Sequence, residues 1–114
     1  MRLAWLAAGV AAALAGAAAA APYGTSGKIV AKPGQREALV AALSEGSGAM
    51  PGNRAYIVAR DAKDPDVIWI TESWDSKEAH AASLQLPQVR AAIRKGMPLI
   101  AGFETIAEVE PVGR

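Results

Sequence analysis

The chain has 114 residues, with twelve basic and eleven acidic side chains, one histidine and no cysteine, and a formal net charge of +1. This length allows one domain at most. The balanced charge argues against a nucleic-acid partner, which would require clustered lysine and arginine. The lack of cysteine excludes disulfides, thiolate metal sites and a cysteine nucleophile. A single histidine leaves little basis for a transition-metal site, so no metal is predicted.

Residues 1–20 predict a secretory signal peptide. A short basic start, Met1-Arg2, precedes an apolar run without charge over residues 3–15, and small residues at 17–21 suit signal-peptidase cleavage. We therefore expect a periplasmic or secreted protein with no membrane association after cleavage. An uncleaved N-terminal anchor is the alternative interpretation. Loss of Arg2 would leave eleven basic and eleven acidic residues, a net charge of zero.

The residues after this leader predict alternating strands and helices, following a flexible lead-in at 23–27. Apolar spacing and turn residues give these elements: strand Lys28–Lys32, helix Gln35–Gly46, strand Arg54–Arg60, strand Val67–Trp74, helix from Ser76, helix Gln88–Lys95 and strand Phe103–Val109. Asp75 is predicted to cap the second helix, with Glu78 returning the bond. The order is typical of a ferredoxin-like α+β fold, an antiparallel sheet with helices on one face.

The third predicted strand carries apolar residues on both of its sides. Ile68, Ile70 and Trp74 share one side, whereas Val67 and Trp69 lie on the other. Because helices cover only one face, the second apolar face would be exposed on a monomer. We therefore expect a homodimer in which two sheets pack face to face.

The same strand suggests a small-molecule pocket. Trp74 ends the strand, and the only histidine, His80, follows on the next helix. We expect the indole and the imidazole to converge on one hollow. For Glu72, a cross-strand salt bridge is favoured over an acid-base role. The acidic run Asp61, Asp64 and Asp66 lacks the glycine and final glutamate of a calcium loop, which favours a solvated turn.

Several segments together resemble the antibiotic-biosynthesis monooxygenase (ABM) domain, and its quinol monooxygenase branch in particular. They are Lys32-Pro33-Gly34 before a helix, Met50-Pro51-Gly52 before a strand, and the run Ile70 to His80 (ITESWDSKEAH). The resemblance covers residues 24–113. It implies a dimeric α+β barrel and oxidation of a quinol or polycyclic phenol by O₂ without metal, flavin or haem cofactors.

The resemblance also implies site residues. Trp74 matches a pocket tryptophan of the polyketide-acting branch, and His80 stands where that branch has a tyrosine. Ile70 and Ser83 replace polar residues, an asparagine four residues before the tryptophan and a histidine nine after it. Ile93 stands where haem-degrading relatives carry the iron ligand, which disfavours haem degradation.

Oxygenation without a cofactor requires that the substrate be deprotonated and shielded from water. His80 is the candidate catalytic base, because imidazole titrates near neutral pH. Trp74, Tyr56, Arg60 and Ser83 are the candidate substrate-binding residues. Two other interpretations remain open: a non-catalytic dimeric module of the same fold that binds a small molecule, and a purely structural dimer.

Overall fold

The computed structural model describes residues 21–113, so the predicted signal peptide lies outside the described residues. The described elements are four strands, three α-helices and a short 3₁₀ turn. They are β1 (Tyr23–Ala31), α1 (Arg36–Glu45), β2 (Asn53–Arg60), β3 (Val67–Trp74), α2 (Lys77–Ser83), α3 (Pro87–Gly96), the turn Met97–Leu99 and β4 (Ile100–Val109). The strands form one antiparallel sheet in the order β2-β3-β1-β4. The predicted ferredoxin-like α+β architecture is confirmed.

The hydrophobic core lies between the sheet and α1. Its buried members come from β1, α1 and β3: Ile29, Ala31, Leu39, Ile68 and Ile70. Side chains directly opposite one another on paired strands share a face of the sheet. Ile29 is opposite Ile68, so the two strands supply one apolar layer on the helix-covered side.

Strand β1 is longer than predicted, because residues 23–27 are not a flexible lead-in. Their sequence, YGTSG, has weak strand propensity. Nevertheless, Tyr23 is opposite Trp74, and Gly24 pairs with both Ser73 of β3 and Val109 of β4. Pairing on both sides satisfies the backbone of this central strand and overrides local propensity. Strand β4 also begins earlier than predicted, at Ile100.

The N-terminus of α2 differs from the prediction as well. Ser76, not Asp75, is the cap residue, and its Oγ accepts a hydrogen bond from the Ala79 N–H at 3.0 Å. Asp75 instead accepts a hydrogen bond from Arg54 Nε at 2.7 Å. The pairing of Asp75 with β2 therefore leaves capping to the next residue.

The face of the sheet away from the helices includes Ile57 and Thr71, which are opposite each other on β2 and β3. Ile57 is 55% exposed. Trp69 lies on the same face, half-buried, and its indole donates to Asp61 Oδ1 at 2.7 Å. This face is thus partly apolar, with the loop 61–66 protecting one end.

Candidate active site

A cavity of about 130 Å³ lies between the sheet and all three helices. Its apolar walls come from α1, the following turn, the α2–α3 connection and α3: Leu43, Met50, Leu84, Val89, Ala92 and Ile93. Five polar or aromatic residues from β2, β3 and α2 also line it: Tyr56, Glu72, Trp74, His80 and Ser83. An apolar cavity with a few polar groups at one side is the usual form of a small-molecule site.

Trp74 and His80 converge on this cavity. Trp74 is 1% exposed, and its ring centroid lies 5.4 Å from that of His80 in an edge-on arrangement. The sequence brings them together because β3 ends at Trp74 and α2 begins three residues later, so that His80 is the central residue of this seven-residue helix. The indole thus forms a rigid wall beside a titratable group.

Glu72 connects these two rings. Its Oε1 accepts a hydrogen bond from Trp74 Nε1 at 3.0 Å and lies 3.8 Å from His80 Nε2, and its Oε2 accepts from Thr25 Oγ1 at 3.3 Å. The cross-strand partner is therefore a hydroxyl, instead of the predicted cation. The carboxylate is only 18% exposed. Glu72 therefore brings a carboxylate close to both the indole and the imidazole.

The geometry of this pair also suits a substrate hydroxyl. A phenolic O–H carries one proton and can donate it to one acceptor at about 2.8 Å, a normal hydrogen-bond distance. His80 Nε2 is the favourable acceptor, because an imidazolium formed there lies 3.8 Å from the Glu72 carboxylate. Proton transfer requires this kind of direct contact.

Tyr56 faces Glu72 across the β2–β3 pair. Burial, and then the negative charge of Glu72, raise the pKa of Tyr56 to about 12. The phenol therefore remains protonated near neutral pH. Tyr56 can donate a hydrogen bond to a ligand oxygen but cannot serve as a base there.

The other two predicted substrate-binding residues differ in position. Ser83 lines the cavity and is 4% exposed, but its Oγ donates to the backbone oxygen of His80 at 2.6 Å. Arg60 lies elsewhere: it is opposite Ile68, at the far end of β3 from Trp74. Its guanidinium forms a two-pronged ion pair with Glu37 of α1, with distances of 2.8 and 2.6 Å. The structure therefore places Arg60 away from the cavity, where α1 supplies it with a carboxylate.

A second cavity, of about 220 Å³, lies on the other side of Glu72 and His80. Residues from β1 and β4 supply most of its remaining walls, including Thr25, Thr105 and Glu108. Tyr23, which the sequence placed in a flexible segment, also lines it, and its ring centroid lies 5.4 Å from that of His80. The imidazole thus packs near both Trp74 and Tyr23.

The backbone at Gly52 fixes α2 against the sheet. Gly52 has a φ of +81°, and a Cβ at this position would lie 2.7 Å from the Ala79 Cβ. The Gly52 carbonyl also accepts a hydrogen bond from the Asp75 N–H at 2.8 Å. Only glycine adopts this conformation readily and permits so close an approach. The turn before β2 therefore sets the position of the helix that carries His80.

Within residues 21–113, no group of three or more His, Asp or Glu side chains is arranged to hold a metal ion. None of the helices in this part of the chain is long and apolar enough to span a membrane.

Comparison with known proteins gives a consistent family assignment. The family model for antibiotic biosynthesis monooxygenase matches residues 22–95. A structure of a proposed antibiotic biosynthesis monooxygenase from Chloroflexus aurantiacus is 57% identical, with a TM-score of 0.79, over 82% of this chain and 95% of that one. No match was found among curated proteins.

More distant structures share the fold. A proposed antibiotic biosynthesis monooxygenase from Nitrosomonas europaea is 18% identical with a TM-score of 0.75, over 82% of this chain and 92% of that one. One from Caulobacter crescentus is 17% identical with a TM-score of 0.69, over the same shares of the two chains. Together with the family match over most of the domain, these findings show that the chain belongs to the antibiotic biosynthesis monooxygenase family.

Proposed function

We propose that this protein is a monooxygenase that oxidises a quinol or related phenol with O₂, with His80 as the base. The observation that carries the proposal is the convergence of Trp74, His80 and Glu72 on one largely apolar cavity. The indole offers a flat surface for an aromatic ring, and the polar pair lies beside it, where the ring's hydroxyl would be.

In the first step, the phenolic O–H bond breaks, and the proton moves to His80 Nε2. The electron pair stays on the oxygen, and Glu72, 3.8 Å away, stabilises the imidazolium that forms. The electron-rich phenolate then reduces O₂. In the overall reaction of a quinol, one oxygen atom enters the ring as a hydroxyl group. The other leaves as water with two hydrogens from the substrate, so that a hydroxyquinone results and no external reductant is consumed.

Two features of the cavity favour this chemistry. Its walls are largely apolar, and an apolar surrounding strengthens the electrostatic effect of Glu72 on the imidazolium. Tyr56, whose pKa is about 12, keeps its proton and can donate a hydrogen bond to a second substrate oxygen. Base and donor are thus distinct residues.

The test is O₂ consumption by the purified protein with a panel of quinols. The His80→Ala variant should lower the rate by about 10²-fold or more, the usual contribution of a general base. Arg60→Ala, which removes a charge from the same sheet but far from the cavity, is the matched control and should leave the rate unchanged. If the His80→Ala variant consumes O₂ as fast as the wild type, His80 is not the catalytic base.

A second candidate function is a binding module that retains a small molecule without turnover. Two observations favour it: the Ser83 hydroxyl donates to the backbone, and Ile70 is part of the core, so neither offers a proton donor to a ligand. Saturable binding of a quinol with O₂ uptake no faster than the uncatalysed rate would support this function over oxidation.

The partly exposed sheet face also supports a homodimer. With Ile57 at 55% exposure beside the half-buried Trp69, a second copy placed face to face would bury apolar surface that a monomer leaves in water. Sedimentation equilibrium should give the dimer mass, and Ile57→Lys should shift the protein toward monomer. A monomer at all concentrations would contradict this proposal.

A further inference from the structure

We propose that the substrate is a single-ring phenol or quinol bearing an alkyl substituent, whose ring contacts Trp74 and His80 and whose tail crosses Leu84 and Ile93. This inference rests on the proposed function, because it names the substrate class of the same site. It follows from the size of the cavity, the rigidity of its back wall and the nature of its opening.

The cavity volume is that of one ring. The volume of the cavity is about 130 Å³, and an apolar cavity of about 150 Å³ in another protein holds one benzene molecule. A fused three-ring phenol requires far more space than this. The cavity therefore selects a single ring unless its walls can separate.

The wall of the cavity that α1 and α3 form does not open easily, because the two helices approach as closely as their side chains allow. A Cβ on Gly46 would lie only 2.5 Å from the Ala92 Cβ. Two further contacts hold α3 against α1 and the turn that follows it: Gln88 Nε2 donates to the Gly48 carbonyl at 3.0 Å, and Lys95 Nζ lies 2.7 Å from Glu45 Oε2. Widening the cavity would break these contacts and open a void between close-packed helices.

The opening of the cavity is apolar. Leu84 and Ile93 line it, and each is 44% exposed, so their side chains extend from the interior to solvent. An alkyl chain that leaves the ring along these residues would cover them, which is favourable because apolar surface is removed from water. The second cavity, beyond His80, is lined by Ile70 and Phe103 as well as by Thr25, Thr105 and Glu108, and a tail placed there would leave Leu84 and Ile93 in water.

The experiment measures binding, so that it does not depend on turnover. Isothermal titration calorimetry would compare the affinities of 4-methylphenol and 4-pentylphenol. A competition experiment, in which 2-hydroxyanthracene is added to displace bound 4-pentylphenol, would show whether the three-ring compound binds. A fully buried methylene is worth about fourfold in affinity. Along a half-exposed surface, we expect about twofold per methylene, and therefore on the order of tenfold tighter binding of the pentyl compound. 2-Hydroxyanthracene should not compete.

Two variants locate the tail. Ile93→Ala should reduce the ratio of the two affinities to about threefold, because half of the apolar opening is lost. Phe103→Ala is the matched control: Phe103 is 65% exposed and lines the second cavity, so that its loss should leave the ratio unchanged. Both side chains are substantially exposed, so neither substitution threatens folding.

The outcomes separate the two proposals. If 4-methylphenol binds but the pentyl chain adds nothing, or if 2-hydroxyanthracene binds as tightly as 4-methylphenol, the substrate class is wrong while the proposed function stands. A ratio that falls in Phe103→Ala and not in Ile93→Ala would also overturn it. If 4-methylphenol does not bind at all, the proposed function loses its site as well.

Discussion

The two ends of β3 each carry a tryptophan whose indole donates to a carboxylate. At the first end, Trp69 Nε1 lies 2.7 Å from Asp61 Oδ1; at the second, Trp74 Nε1 lies 3.0 Å from Glu72 Oε1. The pairs are chemically alike, yet their surroundings differ. Asp61 lies in a surface turn, whereas Glu72 lines a cavity and faces His80.

The remaining hydrogen bonds explain what each pair does. Asp61 Oδ2 also accepts the backbone N–H groups of Lys63 and Asp64, at 3.0 and 2.7 Å. The hydrogen bond from Trp69, followed by these backbone bonds, lowers the pKa of Asp61 to about 2. Because Asp61 already accepts these three hydrogen bonds, its role is to stabilise the turn. Glu72 retains a face toward the cavity, so that the same kind of pair is available for chemistry.

The largest expected difference between the two ends is in turnover. Glu72→Gln removes the charge that stabilises the imidazolium and should lower kcat for quinol oxidation by about 10²-fold. Asp61→Asn makes the same kind of change at the other end of the strand and should leave kcat unchanged. Steady-state O₂ consumption measures both. Equal effects of the two substitutions would mean that Glu72 is also only structural.

A smaller difference is expected in stability. Trp74→Phe leaves a void in the buried site and deprives Glu72 of a donor, which should cost about 2–3 kcal/mol of the free energy of unfolding. Trp69→Phe, at a half-buried site with a carboxylate that keeps its backbone donors, should cost about 1 kcal/mol. Urea denaturation gives both values. A greater cost for Trp69→Phe would reverse our ranking of the two ends.

The glycine turns beside the two ends sharpen the comparison further. Gly34 and Gly52 both have positive φ, +78° and +81°, but a Cβ on Gly34 would meet nothing within 4 Å. Gly34→Ala should therefore lower the free energy of unfolding by about 1 kcal/mol, the cost of the left-handed backbone conformation alone. Gly52→Ala should cost at least about 2 kcal/mol and also lower activity, because Ala79 and hence the helix bearing His80 must move. Thermal denaturation and O₂ consumption test this pair; equal losses would show that α2 adapts without strain.

The smallest expected effect is a pH dependence of stability that arises from Asp61 at the first end. Because the pKa of Asp61 is lower in the folded protein than its ordinary value of 3.8, its contribution to stability is present above about pH 4 and is lost as the pH falls toward 2. The Tm difference between wild type and Asp61→Asn should therefore shrink over this range. A difference that stays constant from pH 6 to pH 2 would contradict the assigned hydrogen bonds.

Much of the site could be predicted from the alternating directions of the side chains along β3. Trp74 and His80 were identified from their positions on a strand and the helix after it. Glu72 could have been assigned to the cavity by the same reasoning, since it lies between Ile70 and Trp74 on one side of the strand. A carboxylate on an apolar face signals a buried polar site, and the expectation of a cross-strand salt bridge obscured that signal.

The sequence by itself determined the order of the elements, the apolar faces and the family resemblance, because these depend on residue type and local spacing. Only the tertiary structure decided that residues 23–27 form a central strand, that Arg60 pairs with Glu37 and that Tyr23 flanks His80. Each depends on partners distant in the chain, whose distances and orientations follow from packing. Local propensity carries no information about such partners.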